Sequence, residues 1–326
     1  MTIKTVTVFG SEGFIGSHFI ELLLKKNYNV KAVILYNSYS NKANLQKIKN
    51  KNLSIFFGNV EDYDFCEHVL KKTDYIVNFS ALISIPYSYI SPESYIKTNI
   101  MGALNICRSV KKNPKKIKKF VQISTSEVYG SAIYTPINED HPLQPQSPYS
   151  ASKIGGDAIC RSFYYTFGIP LIIARPFNTF GPRQSQRAVI PTIINQILNK
   201  KKKIKLGNLK AKRDFVYVED TCNAIYKLMK SSSKTNGDIF NICSEKAYSI
   251  KEIFYKIKKI LKSNCLLEMD NSRLRPLKSE VSLLLGSSKK IKKMCKFKIN
   301  ENFDQGLSKT ISWYKDNIDK NIDYHF

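Results

Sequence analysis

The chain has 326 residues and a formal net charge of +26, with 43% hydrophobic and 12% aromatic residues. That much apolar material excludes a chain disordered throughout, and the length exceeds what one hydrophobic core usually holds, so two lobes are expected. The lysine runs at 111–112, 115–116, 118–119, 200–203, 289–290 and 292–293 fall near the ends of helical patterns, where solvated cations also suit the helix dipole. No motif with interleaved aromatics accompanies them, so nucleic acid is not an expected partner.

Residues 6–9 read as a short apolar strand that leaves Thr2-Ile3-Lys4-Thr5 and enters a glycine turn, a pattern unlike an export leader. An amphipathic helix over 14–26, closed by Asn27, follows. Strands are predicted at 30–35, 54–58, 75–79, 120–124 and 170–175, alternating with helices at 62–71, 95–112 and 149–167. This alternation specifies an α/β fold, a Rossmann-type doubly wound parallel sheet. After Pro176 the pattern loosens into a helix at 191–198, short strands and terminal helices, the signature of a smaller C-terminal substrate lobe. The expected division is a dinucleotide-binding domain over 1–178 and a mainly substrate-binding lobe over 179–326. Within the latter, 215–218 and 238–242 are expected to return to the main sheet. The odd count of seven cysteines, none in a C-x-x-C, fits buried free thiols in a reducing compartment. The four histidines are scattered, so no metal is expected. No apolar stretch approaches the roughly 18 residues of a membrane helix, so the expectation is a cytoplasmic protein without a membrane partner.

Gly10-Ser11-Glu12-Gly13-Phe14-Ile15-Gly16 lies between the first strand and the first helix. There a pyrophosphate meets the backbone N–H groups around Phe14 and Ile15 and the positive end of the helix dipole. Side chains at Gly10 or Gly13 would block that approach, and Gly16 lets helix and strand pack. An acid that grips the adenosine ribose is expected after strand two, but the sequence there is Leu35-Tyr36-Asn37-Ser38-Tyr39-Ser40. Asn37 suits a ribose hydroxyl, whereas Asn37, Ser38 and Lys42 together suit a 2′-phosphate. NAD is the expected cofactor, with NADP as the alternative.

Tyr149 and Lys153 share a helix face at i and i+4. The ammonium favours phenolate, making a base for a sugar hydroxyl. Thr125, Ser126 and Glu127 follow strand five, at the sheet edge where open α/β folds bind ligands. Thr125 is expected to bond the reacting hydroxyl, and Glu127 places a carboxylate at the sheet's mouth.

At these residues the chain resembles the extended short-chain dehydrogenase/reductase family that acts on nucleotide sugars. The glycine turn, Asn99 before Gly102, 124–130, Tyr149/Lys153, 175–178, 181–183, 213–220 and 273–276 occur in family order over almost the whole chain. Segments 81–89, 146–153 and 177–194 resemble the NAD-dependent sugar 4,6-dehydratases of the legionaminic acid pathway. The resemblance implies cofactor contacts from Asn59, Val60, Ala81, Tyr149 and Lys153, and substrate contacts from Ser84, Asn178, Arg183, Arg213 and Arg275. Arginine forks suit a nucleotide diphosphate.

It also implies a homodimer built through helices starting near 95 and 149. The apolar Ala151, Ile154, Ala158, Ile159 and Phe163 agree with this. Three departures stand out: the missing acid after strand two, Gly58-Asn59 for a usual Gly-Asp, and Ser126 where many 4,6-dehydratases carry an aspartate. The expected activity is dehydration of a GDP- or UDP-linked N-acetylglucosamine to a 4-keto-6-deoxy sugar. Uronate decarboxylation, favoured by Ser126, and C4 epimerisation are the enzymatic alternatives. A cofactor sensor without turnover has no need of Thr125, Tyr149 and Lys153.

Overall fold

The computed structural model describes residues 3–317; Thr2 and the end of the 179–326 segment lie outside the described residues. The first half is built by strict alternation. Strand β1 (Thr5–Phe9) enters the glycine turn and helix α1 (Phe14–Lys25), followed by β2 (Asn29–Ile34) and β3 (Leu53–Phe57). Helix α2 (Tyr63–Val69) leads to β4 (Tyr75–Asn78), and short helices α3 (Ile85–Ile90) and α4 (Pro92–Tyr95) follow. A π-helical turn (Ile96–Met101) continues directly into α5 (Gly102–Lys112), so the predicted helix over 95–112 is present with a wider turn at its start. Then come β5 (Lys119–Ile123), α6 (Pro148–Phe167) and β6 (Leu171–Pro176).

Helix α6 has clear end signals. Ser147 and Ser150 form a reciprocal capping box, Pro148 occupies the first turn, and Gly168 closes the helix at φ +64°.

The later elements are β7 (Asn178–Phe180), α7 (Val189–Leu198), β8 (Lys203–Leu206), β9 (Lys212–Tyr217), α8 (Val218–Met229), β10 (Ile239–Ile242) and β11 (Ala247–Ser249). They end with α9 (Ile250–Ile260), β12 (Leu266–Met269), β13 (Leu283–Leu284), α10 (Lys289–Cys295) and α11 (Phe303–Asn317).

The main sheet has seven strands in the order β10-β6-β5-β4-β1-β2-β3, all pairs parallel. This is the doubly wound arrangement, and its strand order reverses between β1 and β4. Strands covered on both faces read as continuous apolar runs. Val6, Val8, Val121 and Ile172 face one layer with Phe19, Leu23 and Leu228. Phe9, Ile76, Phe120 and Ile173 face the other with Ile106, Cys107 and Cys160.

One returning segment differs from expectation. The strand over 239–242 joins β6 as an edge, with Ile239 opposite Ile173. The segment over 215–218 does not reach the main sheet: β9 pairs with β7, β11 and β13 in a separate four-stranded sheet. A short buried run reads the same in either sheet, because burial on two faces carries no information about its neighbour.

The lysine runs lie at exposed positions with two exceptions, the half-buried Lys290 and the buried Lys119. Lys119 is 1% exposed and donates to the Ser232 carbonyl, Thr235 Oγ1 and Asn236 Oδ1. Burial pulls its pKa down to about 8. All seven cysteines are free and six are buried.

Candidate active site

The glycine turn closes tightly against the sheet. Gly10 adopts φ +69°, and a Cβ there would stand 2.7 Å from the Ser80 nitrogen. A Cβ on Gly16 would overlap the Gly10 carbonyl oxygen. Gly13 begins α1 without a side-chain cap, and the first-turn N–H groups of Phe14, Ile15 and Gly16 have no carbonyl one turn back to bond. The turn therefore presents donors and a positive dipole end without a side-chain cap, which fits a dinucleotide pyrophosphate. Gly16→Ala must open this turn, so its affinity for NAD is expected to fall at least about tenfold. Calorimetric titration checks this.

Other expected cofactor residues take more structural parts. Asn37 folds onto its own loop: Nδ2 donates to the Leu35 and Asn41 carbonyls and Oδ1 accepts from the Asn41 N–H. Asn59 Oδ1 caps a turn at Glu61 N. Val60 is buried against Gly102, and Ala81 is half-buried beyond β4.

The reacting groups gather at the C-terminal ends of β4, β5 and β6. Thr125 Oγ1 caps the short turn over Ser126–Tyr129 by accepting from Glu127 N, 3.2 Å. It also hydrogen-bonds Tyr149. Tyr149 is 7% exposed, with the Tyr95 ring edge-on at 6.2 Å. Burial pushes the phenol's pKa up, and the Thr125 bond opposes that shift.

This differs from the simple expectation of a lowered phenol pKa. Lys153 does not pair directly with the ring; its Nζ donates to the Ile123 carbonyl, 2.8 Å. Burial lowers the Lys153 pKa, and Asp157 raises it. Ser126 is buried. Glu127 Oε2 lies 3.8 Å from Arg275 Nη1, an ion pair too long for a hydrogen bond.

Arg213 is also buried, feels the Glu127 charge, and pairs with Glu280 at 3.5 Å. Arg213 and Arg275 thus place positive charge beside Glu127. Arg183 points elsewhere, with Nη2 on Glu21 of α1 at 2.6 Å and Nη1 on Ser17 Oγ. It braces the first helix instead of facing Glu127. Asn178 opens β7 at the end of β6, and Ser84 precedes α3, its carbonyl accepting from the Tyr95 hydroxyl.

Sequence reading named Asn99, Ser124 and Arg175 only within family segments, and missed Asp157 and the supports that these residues build together. Asp157 Oδ2 accepts from Ser124 Oγ and from Arg175 Nε and Nη2, with both charged side chains almost fully buried. This pair fastens the start of the 124–127 segment to α6. Asn99, in the π turn, accepts from Leu82 N and donates to Leu82 O and Ser152 Oγ, tying the loop after β4 to α6. π turns often mark functional positions. The signal for Asp157 was its place eight residues after Tyr149, on the same helix face. Asp157→Ala leaves Arg175 buried and unpaired, so a loss of about 3–5 kcal/mol in unfolding free energy is expected. A shift in the urea midpoint measures it.

The profile of the family described as GDP-mannose 4,6 dehydratase matches residues 7–310. The chain belongs to this family. Among its relatives, a dTDP-D-glucose 4,6-dehydratase of Dictyostelium discoideum is 32% identical over 78% of this chain. That match spans 62% of the Dictyostelium protein. A UDP-N-acetylglucosamine 4-epimerase structure from Methanobrevibacter ruminantium M1 superposes with a TM-score of 0.87 at 31% identity, over 97% of this chain and 99% of that one. A dTDP-glucose 4,6-dehydratase structure from Streptomyces venezuelae, with NAD bound, gives 0.86 at 26% identity over 96% and 97%. The GDP-mannose 4,6-dehydratase family thus has both dehydratase and epimerase neighbours around this chain, and the Rossmann architecture is shared with both. No described helix is long and apolar enough to cross a membrane.

Proposed function

We propose that this family member is an NAD-dependent nucleotide-sugar 4,6-dehydratase acting on an NDP-linked N-acetylglucosamine. The carrying observation is the carboxylate of Glu127 beside Thr125 and Tyr149, flanked by Arg275 at 3.8 Å. Epimerisation at C4 needs the tyrosine and the cofactor but no second base.

In this reading a bound NAD would supply the hydride chemistry, held by the glycine turn at Gly10, Gly13 and Gly16 and by Tyr149 and Lys153. Tyr149 removes the C4 hydroxyl proton while Thr125 holds that oxygen. Lys153 sits one helical turn after Tyr149, anchored on Ile123 O. Once C4 is a ketone, the C5 proton is acidic and Glu127 takes it. Ser126 has no acidic proton, so protonated Glu127, or a water held by Ser126, protonates the C6 hydroxyl, which leaves as water; a solvent-derived proton then returns to C5 through Glu127. Arg213, Arg275 and Asn178 hold the diphosphate, with Ser84 on the sugar side. The N-acetylglucosamine assignment follows the resemblance of 81–89, 146–153 and 177–194. A cytoplasmic homodimer through α5 and α6 completes the reading; light scattering at micromolar concentration is expected to give twice the chain mass.

Incubation of pure protein with GDP-, UDP- and dTDP-linked sugars tests the reaction. Loss of one water from the product is expected. Loss of carbon dioxide from a uronate substrate would support the second reading, which Ser126 favours. An unchanged mass with an inverted C4 would mean epimerisation.

A further inference from the structure

The acid that usually follows strand two is missing, yet a carboxylate reaches the same point from another element. Glu12 lies inside the glycine turn, and its Oε1 accepts a hydrogen bond of 2.9 Å from the N–H of Leu35, one residue past the end of β2. Asn44 Nδ2 braces the turn by donating to the Glu12 carbonyl, 2.9 Å. The second carboxylate oxygen, Oε2, is closed off from water and receives no hydrogen bond. Burial raises the Glu12 pKa and backbone N–H groups oppose that rise, with no cation among the causes in the described residues. Asn37, the polar residue that stands in the acid's place in the sequence, bonds its own loop at 35 and 41.

Rossmann folds place the adenosine ribose at this end of strand two. We propose that Glu12 replaces the missing acid and selects NAD over NADP. Cofactor binding that turns Oε2 out of its closed position would let a ribose 2′-hydroxyl donate to it. A 2′-phosphate brings negative charge to a carboxylate poorly screened by water, and like charges in such surroundings repel strongly. Lys42, on the same loop, acts in the opposite sense, but it is half-buried and solvated. The glycine turn alone holds the pyrophosphate common to both cofactors; Glu12 reads the one group that differs.

This inference rests on the glycine turn being a cofactor cradle, and titration of the full chain with NAD and NADP separates the two. Wild type is expected to bind NAD at least about tenfold tighter than NADP, a margin of about 1.4 kcal/mol. Glu12→Gln keeps an acceptor for Leu35 N–H while removing the charge, and is expected to narrow that ratio about tenfold or more, mainly by gaining NADP affinity. Retained NAD binding shows that the variant is folded. Glu12→Asp, which keeps the charge, is expected to keep the NAD preference if it binds NAD. A wild type without preference, or an unchanged ratio in Glu12→Gln, overturns the role of Glu12. A wild type that binds neither cofactor overturns the cradle and the inference with it.

Discussion

Tyr149→Phe is expected to lower kcat by about a hundred- to ten-thousand-fold, with KM nearly unchanged. The ring itself is packed: it is buried, and Tyr95 meets it edge-on. Phenylalanine keeps that packing and removes only the hydroxyl, which hydrogen-bonds Thr125. The loss therefore falls on proton transfer, an interaction made in the transition state, and not on the fold or on substrate binding. Burial raises the phenol's pKa, so the active, deprotonated form is scarce at low pH. The wild-type kcat is accordingly expected to rise with pH along its acidic limb. A Tyr149→Phe protein with near wild-type turnover would place the base elsewhere.

The second large effect concerns Glu127. Glu127→Gln keeps size and hydrogen-bonding reach but cannot take a proton. Oxidation at C4 relies on Thr125, Tyr149 and Lys153, and should proceed. The variant is expected to accumulate a bound 4-keto sugar with reduced nicotinamide absorbance, and to lose about a hundred- to ten-thousand-fold in overall rate. Wild-type reaction in D₂O is expected to place deuterium at C5, and the variant reaction is not. Arg275 and Arg213 lie near this carboxylate, so the substitution also removes an ion-pair partner. Comparing substrate affinity of Glu127→Gln with wild type separates that contribution from the loss of the base. Dehydration at near wild-type rate in Glu127→Gln would make Glu127 a structural acid and place the C5 base on another residue.

Much of the sheet was legible because local signals repeat there. Strands β1 to β6 each show an apolar run bounded by turn residues, and the helices between them carry a periodic apolar face. The glycine turn, the 124–127 segment and the Tyr149/Lys153 spacing were legible for the same reason: their chemistry is written in consecutive or helically spaced residues. What failed to show depends on distant pairing. Strand β9 joins β7, β11 and β13 through register, which composition does not encode. Nothing sets Glu12 apart within the glycine turn until the end of β2 is seen against it. The resemblance makes Arg183 a substrate contact, and its ion pair with Glu21 of α1 shows only when the fold brings the two together. Asp157 reads as a polar position on a helix until Arg175 arrives from β6.

The edge strand β10 lies far along the chain from the strand it covers. It pairs with β6 across a separation that runs from Ile173 to Ile239, and the intervening chain builds β7, α7, β8, β9 and α8. While those residues are being synthesised, β6 is the outermost strand of the nascent sheet, with one row of N–H and C=O groups unpaired. Open edges of this kind invite pairing with another chain. A truncated protein ending near 178 keeps the whole glycine turn yet never receives its closing strand, so it is expected to aggregate when expressed alone. A fragment extended through 242 carries the strand that covers the edge.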